Sequence, residues 1–247
     1  MEPIIVCPNC GTEYPRRRLQ CPSCDYIAIP KLYRYVPYND NSLSMLINKE
    51  IWCPKAKTLI DPFEFQFNLT KTSLNGIPID QDSLEEAKNQ VRELGVVCLS
   101  EVNDNILMWS HYTQGHTGFC IEFERTKGND LGNWDFCLPV VYHNELPAFS
   151  PQELIEPQAL TKIAATKAFD WHYEKEWRLI TKIGGKLIPL PANITTVIFG
   201  CQMERGRRRT VANILGSDMI YKEAIKLAAK FSLEIRQIKF ESIQGKI

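Results

Sequence analysis

Apolar and polar positions change their period several times along this chain, and each change marks an element. Alternation through Leu32, Tyr33, Arg34, Tyr35 and Val36 predicts a strand at the start of KLYRYVPYND. A short helix is expected over NSLSMLINKE and a strand near IWCP. Residues 68–82 read as loop, with Asn75 and Gly76 as its turn. SLEEAKNQVREL has the spacing of an amphipathic helix, closed by Gly95. The strand VVCLS, a helical stretch NDNILMWSHY and the strand GFCIEFE follow, then an exposed loop over 125–136 and a strand CLPVVYH. Ser150 and Glu153 make a capping-box start, with Pro151 at the first helical position, for a helix reaching about Phe169. EWRLIT, KLIPL and TVIFG read as strands, ERGRRRTVANILG and DMIYKEAIKLAAKF as helices, and LEIRQIKFE as a last strand. Strands and helices interleave without a regular βαβ series, so the expected class is α+β. It would be a mixed-sheet domain with flanking helices over residues 31–247.

The first thirty residues break that pattern and carry the strongest chemical signal. Cys7, Cys10, Cys21 and Cys24 form two CxxC pairs, each with Pro after its first cysteine. Zinc prefers four tetrahedral thiolates, and each CxxC turn supplies two of them. Gly11 permits the left-handed backbone that closes the first turn. The expectation is a structural zinc ribbon over residues 1–30, too small to fold without its metal. The remaining cysteines, Cys53, Cys98, Cys120, Cys137 and Cys201, are scattered, mostly in apolar runs. They read as buried thiols of a reducing, cytoplasmic compartment.

Composition narrows the function classes. The 247 residues are 44% hydrophobic and 23% charged, an ordinary globular balance rather than a disordered one. No uncharged apolar run reaches membrane-spanning length, and the N-terminus has no secretory pattern, so no membrane association is expected. Lys plus Arg and Asp plus Glu both number 29, which excludes a pervasively basic nucleic-acid binder. The distribution is uneven, however. Residues 61–130 hold 5 basic against 12 acidic side chains, and residues 201–247 hold 10 against 5. Two basic groups, Arg16, Arg17 and Arg18 in the ribbon and Arg205, Arg207, Arg208 and Arg209 at a helix start, are candidate phosphate contacts, and the ribbon is also a candidate protein-docking module. Phosphate-loop, dinucleotide GxGxxG, HExxH and GxSxG signatures are absent.

Three segments concentrate unusual residues. LYRYVPYND places Arg34 between Tyr33 and Tyr35 on one strand. LMWSHYTQGHTGFCIEFE gathers Trp109, His111, Tyr112, His116 and Glu122. FDWHYEKEWRLI sets Glu174 and Glu176 two apart, on one face if both are in the strand; a structural Glu176–Arg178 or Glu174–Arg34 ion pair is the alternative to a functional role.

The order LYRYVP, IWCPKAKTLIDPFE, VVCLSE, MWSHYTQGHTGFCIEF, WHYEKEWRLI resembles a bacterial domain of unknown function, family 2971, across about residues 31–200, with the ribbon as an added module. Ile60 stands where that family usually has Asn. The same order is similar, more distantly, to the Arg–Ser–Glu arrangement of ADP-ribosyltransferases. That resemblance implies an enzyme using NAD and transferring ADP-ribose to a nucleic acid or protein. Arg34 would hold the diphosphate, Ser100 would support the nicotinamide pocket, and Tyr35 or Trp109 would stack on the ring. His111 and Tyr112 would line the pocket, Glu176 would be the catalytic carboxylate, and Glu174 would orient the acceptor. Two other classes stay open on the residues alone. One is a noncatalytic nucleic-acid-binding module; the other is a nuclease holding Mg²⁺ on Asp61, Glu64, Glu174 and Glu176.

Overall fold

An eight-stranded sheet organises the chain beyond the ribbon. The computed structural model describes residues 3–70, 73–74, 77–78, 81–154 and 156–245. In chain order the sheet strands are β1 (Lys31–Val36), β2 (Gly95–Ser100), β3 (Phe119–Glu124), β4 (Cys137–Pro139), β5 (Glu176–Thr181), β6 (Ile194–Phe199), β7 (Ile220–Lys226) and β8 (Leu233–Ile238). Their order in space is β4-β5-β2-β1-β3-β6-β7-β8. Neighbours are antiparallel except β6 and β7. That parallel pair needs a crossover, which the helix Arg205–Leu215 supplies. The class is α+β, as the interleaved periods imply.

The principal helices, in chain order, are α1 (Asp40–Asn48), α2 (Gln81–Glu93), α3 (Ile106–Tyr112), α4 (Pro157–Ala164) and α5 (Arg205–Leu215). One face of the sheet buries Leu32, Val97, Leu99, Phe119, Ile121, Trp177 and Leu179 with Leu46 of α1 and Val211 of α5. The other face packs Tyr35, Cys120, Ile198 and Ala224 against Met108 and Trp109 of α3. Asn105 caps α3, its side chain accepting from the Leu107 and Met108 amides, which fixes where Tyr112 emerges at the far end.

Four readings of the sequence are corrected. DMIYKEAIKLAAKF contains β7, not a helix. Its residues ladder on both sides, to β6 and β8, and that pairing with Tyr221 and Ala224 buried outweighs local helix propensity. The Ser150–Glu153 capping box forms, but its helix stops at Leu154 and α4 begins anew at Pro157. Residues 166–168 then form a strand rather than the end of that helix. CLPVVYH breaks into two strands: β4 joins the large sheet, while Val141–His143 pairs in parallel with Thr166–Ala168. Gly95 opens β2 instead of closing α2. A Cβ there would lie 2.2 Å from Thr181 Oγ1 and 2.6 Å from Cys53 Sγ, so close packing demands glycine. The expected Asn75–Gly76 turn lies outside the described residues.

One departure from regular pairing shapes everything that follows. β1 is laddered to β3 from Lys31 to Val36, but it meets β2 in a single register, Tyr33 opposite Ser100. The sheet therefore splits between β1 and β2.

Candidate functional site

The ribbon is held together at its cysteines. The strands Ile4–Val6 and Glu13–Pro15 form its hairpin. The Sγ atoms of Cys7, Cys10, Cys21 and Cys24 all lie within 4.8 Å of one another, with Cys7 and Cys24 at 3.6 Å and Cys10 and Cys21 at 3.5 Å. A tetrahedral zinc with Zn–S of about 2.3 Å sets sulfurs about 3.8 Å apart, so the four thiolates could hold such a metal. Each turn closes through a left-handed residue after its second cysteine. Gly11 (φ 75°) does so in the first turn and Asp25 (φ 57°) in the second, each amide donating to the carbonyl of the leading cysteine. The Thr12 hydroxyl beside Cys10 pulls that thiol down to about 6, which favours the thiolate a metal needs.

Between the knuckles the ribbon docks on the sheet. Arg16 pairs with Glu101 through two contacts, at 2.5 and 2.9 Å. Glu101 also accepts from the Trp177 indole at 2.7 Å. Arg125 donates to the Arg17 carbonyl at 2.6 Å and lies 4.3 Å above the Trp177 ring. Arg18 stacks on Trp134 at 5.4 Å. On α5, Arg208 is likewise turned inward, onto Glu223 at 2.7 Å and the carbonyls of Met203 and Gly200. Arg205 and Arg209 remain exposed, and Arg207 lies over Tyr38.

The split in the sheet opens a cavity of about 190 Å³. Tyr33, Arg34 and Tyr35 of β1 form one side, and Val96, Cys98 and Leu99 of β2 the other. Leu59, Ile60, Asp61 and Glu64 of the loop after Cys53 close a third side, with Tyr112 of α3, Lys167, Trp171, Glu174 and Glu176 at the end. Arg34 Nη1 crosses the split to donate to the Cys98 carbonyl at 2.9 Å, replacing a ladder bond the separated strands no longer make. Its Nε is buried and, among the described residues, has no partner. Burial lowers the Arg34 pKa, and among the described residues no carboxylate forms an ion pair with it.

At the end of the cavity five charges share one buried cluster. Lys167 Nζ lies 3.1 Å from Glu64, 2.6 Å from Glu174 and 3.0 Å from Glu176. Arg178 meets Glu64 at 2.5 Å, Glu176 at 2.8 Å and the Ala164 carbonyl at 2.7 Å. The Tyr112 hydroxyl donates to Glu174 at 2.5 Å. The two carboxylates are driven apart. Burial works to raise Glu176, but the Arg178 and Lys167 charges outweigh it and hold the group at about 2. Glu174 touches no arginine; burial raises it, Lys167 opposes, and the Glu176 charge adds to the rise. Such separation of two carboxyl groups occurs at catalytic pairs and in buried ion-pair networks alike.

The expected site residues divide accordingly. Arg34, Tyr35, Tyr112, Glu174 and Glu176 gather at the cavity. Ser100, Trp109 and His111 do not line it. Ser100 is fully buried, donating to the Glu174 carbonyl and accepting from the Val102 amide, so it braces the turn before β5. Trp109 is buried between Tyr35 and His116 with its indole on the Asn103 carbonyl. His111 is exposed on the outer face of α3. Glu174 ends a 3₁₀ turn over Phe169–Glu174 rather than lying in the strand, and left-handed Lys175 turns the chain into β5. Of the two alternative structural ion pairs, Glu176–Arg178 forms, whereas Glu174 meets Lys167 and not Arg34. Lys167 was not anticipated; its one signal is a lone lysine in the small, apolar run IAATKAF.

Residues 108–179 match the family described as "Protein of unknown function (DUF2971)". That segment runs from α3 into β5 and carries Tyr112, Lys167, Glu174, Glu176 and Arg178, whereas Arg34, Asp61 and Glu64 come from outside it. No curated protein and no solved structure matches the chain.

Proposed function

We propose that the split-sheet cavity binds NAD and that the protein transfers its ADP-ribose to a macromolecular acceptor. The observation that carries this reading is the convergence of Arg34 on β1 with Glu174 and Glu176 beside and on β5 upon one cavity, with Arg34 unneutralised. An unpaired guanidinium fits a diphosphate oxygen. Counting the cluster and the loop, four carboxylates (Asp61, Glu64, Glu174, Glu176) face three cations (Arg34, Lys167, Arg178), so one negative charge remains. Such a field suits the cationic nicotinamide ring, and Tyr33 and Tyr35 supply aromatic walls for it.

In the reaction the bond between the ribose C1′ and the ring nitrogen breaks, and its electron pair leaves with neutral nicotinamide. The sugar gains oxocarbenium character, which a fixed carboxylate stabilises. Glu176, anionic and locked by Arg178 and Lys167, is that carboxylate. The acceptor's oxygen or nitrogen then bonds to C1′ and loses its proton to Glu174, whose proton affinity burial has raised.

The nuclease reading is disfavoured by one observation. Among the described residues the metal-capable cluster is the cysteine quartet, while Lys167 and Arg178 occupy the space between the glutamates. The test is calorimetry and labelled transfer with NAD. Wild type binds, Arg34→Ala loses binding, and Glu176→Gln binds but transfers about 100- to 1,000-fold more slowly. Absence of binding at millimolar NAD refutes the proposal.

A further inference from the structure

A second group in the cavity is as conspicuously unmatched as Arg34. Asp61 anchors one carboxylate oxygen, Oδ1, on the Phe63 amide at 2.9 Å, a local turn that fixes the side chain. Its other oxygen, Oδ2, is buried and has no hydrogen-bond partner among the described residues. Asp61 and Arg34 line the same cavity. One offers an unused acceptor and the other an unused donor, and they form no ion pair with each other. In the neighbouring cluster each charged side chain has an ion-pair partner: Glu64, Glu174 and Glu176 meet Lys167, and Arg178 meets Glu64 and Glu176. A buried polar atom left without a partner is costly, and here two of opposite character belong to residues that line one cavity.

We propose that Asp61 is a specificity-determining residue that reads an exocyclic amino group of the ligand, while Arg34 Nε takes a carbonyl or phosphate oxygen. This deepens, and rests on, the reading of the cavity as an NAD site. A carboxylate is an acceptor, so Asp61 welcomes an N–H and repels an oxygen that brings only lone pairs. NAD carries two such amino groups, the nicotinamide carboxamide and the adenine amine. The chemistry at Asp61 is the same for both.

The experiment separates the two sources. The full-length protein is titrated with NAD, with nicotinic acid adenine dinucleotide (carboxylate in place of the carboxamide) and with nicotinamide hypoxanthine dinucleotide (oxygen in place of the adenine amine). Asp61→Asn is titrated alongside wild type. Asn keeps an Oδ1 for the Phe63 amide, so the loop keeps its turn, yet adds a donor that welcomes the oxygen analogues. Wild type is expected to bind one analogue about 10- to 100-fold more weakly than NAD, and Asp61→Asn to abolish that penalty. The analogue whose penalty disappears names the amino group. Equal binding of all three dinucleotides by wild type, or penalties unchanged in Asp61→Asn, overturns the role of Asp61 and leaves the NAD site standing. Failure of wild type to bind NAD overturns the NAD site and this inference with it.

Discussion

Replacing Lys167 with Met is the sharpest probe of the buried cluster. Met matches the length of the lysine stem and packs in irregular space, so the change removes charge with little change of volume. Lys167 reaches three carboxylates within 3.1 Å and sits at 4.9 Å over the Trp171 ring. At an effective dielectric near 20, each contact at about 3 Å is a gross attraction of roughly 5 kcal/mol, most of it offset by desolvation. Breaking a buried ionic group by removing one partner commonly costs about 3–5 kcal/mol, a large part of a domain's stability. What remains is Glu64, Glu174 and Glu176 against Arg178 alone, so the excess negative charge doubles from one to two. Folded Glu174, already raised above its ordinary range, is pushed higher. A carboxyl that binds its proton more tightly when folded than when unfolded gains stability as pH falls. Urea denaturation at pH 7 is therefore expected to show a loss of about 3–5 kcal/mol, and at pH 5 the gap to wild type narrows. A Lys167→Met protein within about 1 kcal/mol of wild type at pH 7, or a gap that widens on acidification, refutes the reasoning.

Other outcomes follow from the same geometry. Glu176 is held at about 2, so its contribution is complete above the ordinary carboxylate range and drains away as pH falls from about 4.5 towards 2. Acid titration of wild type and Glu176→Gln by circular dichroism checks this, the variant showing the shallower loss. Stripping metal with a chelator, or Cys10→Ser, is expected to unfold the ribbon. The Trp177 emission shifts with it, because Arg16, Glu101 and the Trp177 indole form one chain of contacts; unchanged emission would break that link. Gly95→Ala should lower stability by more than about 3 kcal/mol, since a Cβ meets Thr181, Cys53 and the Gly184 backbone, the last at 2.9 Å. Arg208→Ala should cost about 2–4 kcal/mol and exposed Arg209→Ala under about 0.5, separating arginines that hold the fold from those facing solvent.

Local signals in the chain were reliable where the cause is local. The CxxC pairs dictate their own turns, and β1 shows its alternation and β2 and β3 their apolar runs in residues near in sequence. Arg34 and Glu176 stand out because charged residues interrupt apolar strands, and Tyr112 and Glu174 because polar and aromatic residues crowd the segments around them. What failed depends on partners distant in sequence. YKEAIK favours a helix by itself and becomes β7 because two strands flank it. Trp109 and Ser100 look like site residues by type, yet tertiary packing turns both into the core. Lys167 carries no local mark of its role. It is buried because Glu64, roughly a hundred residues earlier, and Glu174 and Glu176 close around it.

The solitary register between β1 and β2 has a mechanical consequence. A sheet joined along its length resists opening in proportion to the ladder bonds that must break together. Here β4, β5 and β2 form one leaf and β1, β3 and β6 to β8 the other, joined at Tyr33 and Ser100 and strapped by the Arg34 side chain. Rotation of the leaves about that pivot would widen or narrow the cavity at the expense of that strand contact, the guanidinium bond, the Tyr35 hydroxyl bond to the Val102 carbonyl and part of the packing of Leu32 and Ile121 against Val97 and Leu99. Arg34 is thus both the group that would grip a ligand and the tether between the leaves. A ligand that recruits its guanidinium away from the Cys98 carbonyl would loosen the sheet by the act of binding to it.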